Sequence, residues 1–320
     1  MLLIKKEKTV IRSFVYGSAV ALYTLMIASC GQLDSNDDIA PAKGFLAGGG
    51  QFLLFPGTAS NLFHISENGS EITQLTFDSL AYLDAKWSPD GRQIIAYAEF
   101  GFHTDFIVLF KSDGSGKEFL LSGVRAPIWS PDGSRFAYIT GGDVYIYGLE
   151  SGDTTHLSEG VGLETTRGWS TEHGILVTAK RFTYTEEGYI NSTIDDEIYL
   201  MDLNGNMTQL TSDSSLHKGW VTLSHDGEYI AYYAGSFFQL YILSLSDRTT
   251  RTITLKREIQ IAPIWSPDGS KLALWYIDED SSTTDGIYLL DINTEELTLF
   301  HEYTEDNIET YGHIYILDWR

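Results

Sequence analysis

One cysteine in 320 residues, Cys30, leaves no partner for an intramolecular disulfide, so the chain is not a small cross-linked scaffold. Positive charge is scarce too. The 21 Lys and Arg stand against 44 Asp and Glu, a formal net charge of −23, which is the wrong sign for binding nucleic acid or another polyanion. No apolar run reaches the ~20 residues of a membrane-spanning helix, and helical periodicity is missing outside the first 30 residues. The sequence contains no Gly-x-Ser-x-Gly elbow, no glycine-rich phosphate loop and no Cys/His cluster, which argues against an attached α/β-hydrolase, a nucleotide enzyme or a zinc site. Catalytic residues, cofactor and metal are therefore all expected to be none.

What the chain has instead is repetition. Its 7 prolines fall mostly in or beside one short word, which stands at Trp87-Ser-Pro-Asp-Gly91, Trp129-Ser-Pro-Asp-Gly133, Leu223-Ser-His-Asp-Gly227 and Trp265-Ser-Pro-Asp-Gly269. The first two copies and the last two are each 42 residues apart. A period of that length means equivalent β-sheet blades or a solenoid. Aromatic residues make up 13% of the chain, which suits packed, pleated surfaces.

The word reads as a turn. Apolar strands flank it, as in Ala126-Pro-Ile-Trp129 and Arg135-Phe-Ala-Tyr-Ile139, and it supplies a Ser acceptor, a Pro with φ already set, an Asp and a Gly able to take positive φ. A second piece follows each copy, a strand, a polar turn and a short strand ending near Leu-Thr, clearest at Ile198 to Thr211. Each unit is thus four antiparallel strands, a propeller blade. Trp169-Ser-Thr-Glu-His-Gly174 is a degenerate copy, and residues 51–76 hold only three strands. The C-terminal segment His313 to Trp319 has the missing strand's pattern. The expectation is an all-β, six-bladed β-propeller of four-stranded antiparallel blades over 51–320, its ring closed by the C-terminal strand joining the N-terminal blade, which would hide open sheet edges.

Tandem Trp-Ser-Pro-Asp-Gly units with Asp-x-x-Gly-x-x-x-x-Leu-Thr hairpins resemble the TolB-type, WD40-like propeller repeat, found in TolB and in the propellers of prolyl-oligopeptidase-like enzymes. The resemblance covers nearly all of the chain after residue 50 and implies a fold, not an activity. TolB proteins carry an additional N-terminal α/β domain, where this chain has a short tether, so a Tol-Pal role is not implied.

Residues 1–29 have a secretory signal's shape: Lys5, Lys6, Lys8 and Arg12, then an apolar run from Phe14 to Ser29. The ending Leu25-Met-Ile-Ala-Ser-Cys30-Gly resembles bacterial lipoprotein precursors, which implies cleavage before Cys30 and lipid attachment at its thiol. Removing a segment with four bases and one acid would take the formal charge from −23 to −26. Residues 30–50 then read as a lipidated N-terminus and a tether spanning ~25 Å. Gly31 resembles the outer-membrane sorting signal of some bacteria, so an envelope location facing the periplasm is expected.

Functional candidates are loops and channel residues. The insertion Phe182 to Glu197 and the acidic stretch Asp278 to Asp285 should project opposite the Ser-Pro-Asp-Gly turns. Asp278-x-Asp280-x-Ser282 lacks the third ligand and the Gly of a calcium loop, so a solvated acidic loop is expected. His217 and His313 each stand six residues before their blade's Trp position and should open on one end of the channel, with Arg125, Arg167 and Lys218 nearby. Two imidazoles alone are a poor metal site. The expected function is a monomeric, non-enzymatic, lipid-anchored scaffold for a protein or glycan partner; the alternative is a carbohydrate-binding or lyase-like propeller using the channel mouth.

Overall fold

In β17 (Tyr229–Ala234) the side chains divide by parity: Ile230, Tyr232 and Ala234 join one apolar cluster, while Ala231 and Tyr233 join another. A strand with period-2 alternation and both faces apolar must lie in a sheet covered on both sides. The same division recurs in β13 (Gly174–Tyr184), where Leu176 faces one cluster and Ile175, Val177 and Ala179 the other. It recurs in β9 (Arg135–Thr140), with Phe136 and Tyr138 against Ala137 and Ile139.

The computed structural model describes residues 52–56, 61–65, 72–100, 105–158, 163–184, 190–212, 218–255, 262–276, 286–302 and 314–319, all within the compact unit Ala42–Arg320. The signal, Cys30 and the tether lie outside these residues, as do His217, His313 and Asp278 to Asp285.

Among the described residues the strands form six four-stranded antiparallel sheets. The first joins β24 (Ile314–Trp319) to β1 (Phe52–Pro56), β2 (Phe63–Ile65) and β3 (Ile72–Gln74). Next come β4 (Ala81–Trp87), β5 (Gln93–Glu99), β6 (Asp105–Lys111) and β7 (Glu118–Ser122), then β8 (Arg125–Trp129), β9, β10 (Asp143–Gly148) and β11 (Thr154–His156). The fourth sheet is β12 (Leu163–Ser170), β13, β14 (Ile190–Met201) and β15 (Met207–Gln209); the fifth is β16 (Lys218–Leu223), β17, β18 (Ser236–Ser244) and β19 (Thr250–Thr254). The sixth is β20 (Ile264–Trp265), β21 (Lys271–Tyr276), β22 (Gly286–Asp291) and β23 (Leu297–Glu302). This is a β-propeller, and each apolar cluster fills the seam between two consecutive sheets. The C-terminal strand stands where the sequence lacked one: Phe52 pairs with Trp319 and Leu53 with Asp318.

The repeated word acts as a clasp. Ser88, Ser130 and Ser266 donate to Asp90, Asp132 and Asp268 at 2.7, 2.6 and 2.6 Å, and Ser224 donates to Asp226 in the same way. Each serine oxygen also accepts an N–H from five residues on, as from Arg135 at 3.0 Å, which closes the hairpin. Gly133, at φ 69°, occupies the left-handed region that makes glycine the right residue there. The Trp ending the inner strand ties that sheet to the one before it: Trp129 Nε1 donates to the Lys86 carbonyl at 3.1 Å, and Trp265 Nε1 to that of Thr222 at 3.4 Å.

The Leu-Thr ending has an equally local cause. Leu75 and Leu210 continue the ladder through N–H bonds to Leu62 and Ile198 at 2.8 Å, and the next hydroxyls, Thr76 and Thr211, accept the Leu62 and Ile198 amides at 2.8 and 3.0 Å.

One expected loop is a strand pair. Within 182–197, β13 and β14 run on to the Tyr184↔Ile190 pair, beyond the ends of β12 and β15. The β-branched residues Thr183, Ile190, Thr193 and Ile194 account for the extension.

Leu274→Ala, at a site 0% exposed between the fifth and sixth sheets, is expected to lower unfolding stability in urea by about 2–5 kcal/mol. Leu297→Ala, 36% exposed, should change it by less than about 1 kcal/mol. The Ser130 hydroxyl, then the Ser134 amide, hold the Asp132 carboxyl down to about 2. A folded value below the unfolded ~3.9 means stability present above pH ~4 and lost as pH falls toward 2. The urea midpoint of Asp132→Asn should therefore fall less steeply than wild type across that interval.

Candidate functional site: the inner-strand channel

The innermost strands of the six sheets are β24, β4, β8, β12, β16 and β20, and their side chains that do not enter a seam face the channel. Five of these strands are irregular. Register shifts interrupt β24 between Ile316 and Asp318, β4 between Tyr82 and Asp84, β8 between Arg125 and Ile128, β12 between Thr166 and Gly168, and β16 between Gly219 and Thr222. Bulges of this kind turn side chains and carbonyls away from the ladder, and they concentrate beside functional sites. Ala126 and Trp220, at φ 54° and 50°, occupy corresponding positions three residues before Trp129 and Leu223. Left-handed φ in a residue as large as Trp220 is strain that the surrounding fold must sustain.

A charge cluster occupies the channel. Lys86 ion-pairs with Asp84 at 3.0 Å and donates to the Leu317 carbonyl of the C-terminal strand. Asp318 accepts the Trp87 amide at 2.8 Å, so the first and second sheets are joined by side chain as well as by packing. Lys86 is 23% exposed. Burial opposes its charge, but the carboxylates of Asp84 and Asp318 prevail and raise its pKa, with Arg167 working against them. Arg167 stands on β12, two sheets from β4, so its field reaches Lys86 from a non-adjacent sheet. Asp318 has its pKa raised by burial, against the pull of Lys86 and of His225, which comes from the fifth sheet's turn. Both signs of charge thus act on one another here.

The sequence candidates are dispersed by this arrangement. Arg167 is half-buried on β12, and Arg125 is exposed at the start of β8. Lys218 is only 3% exposed and bonds to Glu197 at 3.3 Å; Glu197 also accepts the Thr211 hydroxyl, so this cation is engaged inside the protein. His217 and His313 lie outside the described residues. Asp84, Lys86, Asp318 and Trp220 escaped sequence reasoning. Their signal was present: Lys86 and Asp318 are charged one residue before the repeat Trp, where siblings have Ile128 and Ile264. Among the described residues, Glu172, His173 and Glu228 are the group whose possible ligand atoms lie within 4.8 Å of one another.

The fold is the TolB-type propeller. A crystal structure of TolB from Acinetobacter baumannii matches 84% of this chain and 66% of that one at 18% identity and a TM-score of 0.63. A putative TolB from Agrobacterium tumefaciens matches 81% of this chain and 90% of its own at 17% identity and 0.55. A puromycin-hydrolyzing peptidase of Mycobacterium tuberculosis shares 77% of this chain, 42% of its own length, at 16% identity and 0.56. The chain spans just under two thirds of the first of these proteins, and the likeness is one of fold. No family model and no curated protein matches the chain.

Removing one partner of the Glu197–Lys218 pair strands a buried charge. Glu197→Gln and Lys218→Met should each cost about 3–5 kcal/mol in urea unfolding, and Glu197→Leu combined with Lys218→Met should recover much of that loss.

Proposed function

We propose that this protein is a lipid-anchored propeller of the bacterial cell envelope that holds a protein partner on its loop face. The reading is carried by the TolB-type fold standing behind an N-terminal sequence with the pattern of a lipoprotein signal, Leu25-Met-Ile-Ala-Ser-Cys30. Residues 1–29 are removed, Cys30 is acylated, and 30–50 tether the propeller at the outer membrane on its periplasmic side. Multiple acyl chains give firm anchorage. The six sheets close as a six-bladed ring, which is supported by the β1–β24 pairing and by β20 lying against β24. The scaffold role is supported by the channel, where Lys86, Asp84 and Asp318 satisfy one another, and by the β13–β14 ribbon, which offers backbone beyond its neighbouring strands.

A glycan ligand in the channel is the second reading. It is favoured by Trp220, a strained, half-buried aromatic side chain edge-on to Tyr233 at 5.8 Å, on the inner strand of the sheet after the one that carries Arg167.

Cys30→Ala should move the protein from the detergent phase to the aqueous phase on Triton X-114 partition; retention in the detergent phase would discard the anchor. Crosslinking in intact cells should trap a defined protein partner that is lost when 185–189 is shortened to a two-residue turn. If crosslinking traps none, while immobilised oligosaccharides retain wild type and not Trp220→Ala, the glycan reading replaces it.

A further inference from the structure

The inner-strand turns of the fourth and fifth sheets touch. A Cβ on Gly227 would lie 2.5 Å from the Ser170 hydroxyl, so the fifth turn reaches the fourth only because residue 227 has no side chain. The fourth turn is also built differently. In the four Ser-x-Asp-Gly copies the aspartate is consumed by the clasp, accepting from the serine hydroxyl and from the amide two residues on. The degenerate copy Ser170-Thr-Glu-His-Gly174 has no such aspartate, and the Ser170 oxygen accepts the amides of Glu172 and His173 itself, at 3.2 and 3.3 Å. The turn therefore closes without the Glu172 carboxylate or the His173 imidazole.

Those two side chains meet Glu228, the residue after Gly227 on the adjoining turn. One ligand atom from each lies within 4.8 Å of the others, with Glu172 exposed and His173 and Glu228 half-buried. Bonds of ~2.1 Å in a tetrahedron hold ligand atoms ~3.4 Å apart, so binding requires the side chains to rotate inward from this starting point. Among the described residues no lysine or arginine pairs with Glu172 or Glu228, so two carboxylates face each other in a strongly acidic protein without a counter-charge from those residues. A cation answers that repulsion, and one imidazole nitrogen with two carboxylate oxygens selects its class. Imidazole suits zinc and its transition-metal neighbours, whereas calcium takes 6–8 oxygens.

We propose that Glu172, His173 and Glu228 bind one divalent cation of the Zn²⁺ class, which staples the fourth sheet's turn to the fifth's. Three protein ligands leave a coordination position for water. Nothing in the reading of function above requires this site, and it stands or falls separately.

The test is calorimetric titration of the chelator-stripped, detergent-solubilised protein with zinc chloride, followed by thermal melts with and without zinc. Wild type should take up one saturable equivalent and melt higher when loaded. Supporting groups around a metal alone are worth ~10–100-fold in affinity, so His173→Ala and Glu228→Gln, which remove ligands, should weaken binding by at least ~10-fold and abolish the melting shift. His156→Ala, on an outer strand where it stacks on Tyr145, should leave both unchanged. Far-UV dichroism of the surface-turn variants verifies that they fold. Absence of saturable zinc binding, calcium uptake without zinc uptake, or zinc binding undiminished in both ligand variants would each overturn the proposal.

Discussion

A β-sheet with two apolar faces cannot be stable alone in water, and nearly every feature of this protein follows from that. Each fully buried Leu, Ile or Phe side chain contributes roughly 1.5–3 kcal/mol only while another sheet covers it. Even strand positions such as Ile230 and Tyr232 need the fourth sheet, and odd positions such as Ala231 and Tyr233 need the sixth. The second to fifth sheets each show this double requirement among the described residues, and the pairing of Phe52 with Trp319 brings the first and last described strands into one sheet.

The same geometry brings the inner strands to a common axis, where polar groups from different sheets meet. Lys86 reaches the C-terminal strand's carbonyl at Leu317, Asp318 takes the Trp87 amide, and the charge of Arg167, on a non-adjacent sheet, acts on Lys86. These groups are constrained twice, once by their own strand and once by their neighbours' charges. The seam between the fourth and fifth sheets shows the converse. There a turn was freed from its usual aspartate, and its acid and histidine point toward the adjoining turn's Glu228.

Much of the fold was legible because its signals are local. Ser, Asp and Gly within four residues specify a clasp whose hydrogen bonds stay inside that turn, and Leu-Thr at a hairpin's end specifies a bond to the strand beside it. The insertion after Arg181 was read as a loop for want of its pairing partner, since β-branched residues become a strand only when Tyr184 finds Ile190. Lys218 was taken as a channel cation because its position along β16 is visible in sequence, but its partner Glu197 lies on the preceding sheet and is not.

By itself, the order of residues determined the unit: four strands, the turn that joins two of them, the aromatic residue that ties each to the last, and the strand missing from the start and present at the end. Tertiary structure alone decided which charges oppose one another on the inner strands, which cation is consumed by a buried pair, and that Glu172, His173 and Glu228 converge. The physical reason is distance. A turn's contacts are made over a few residues of fixed geometry, whereas Lys86 and Asp318 are neighbours only because whole sheets pack around an axis, and no spacing along the chain records that angle.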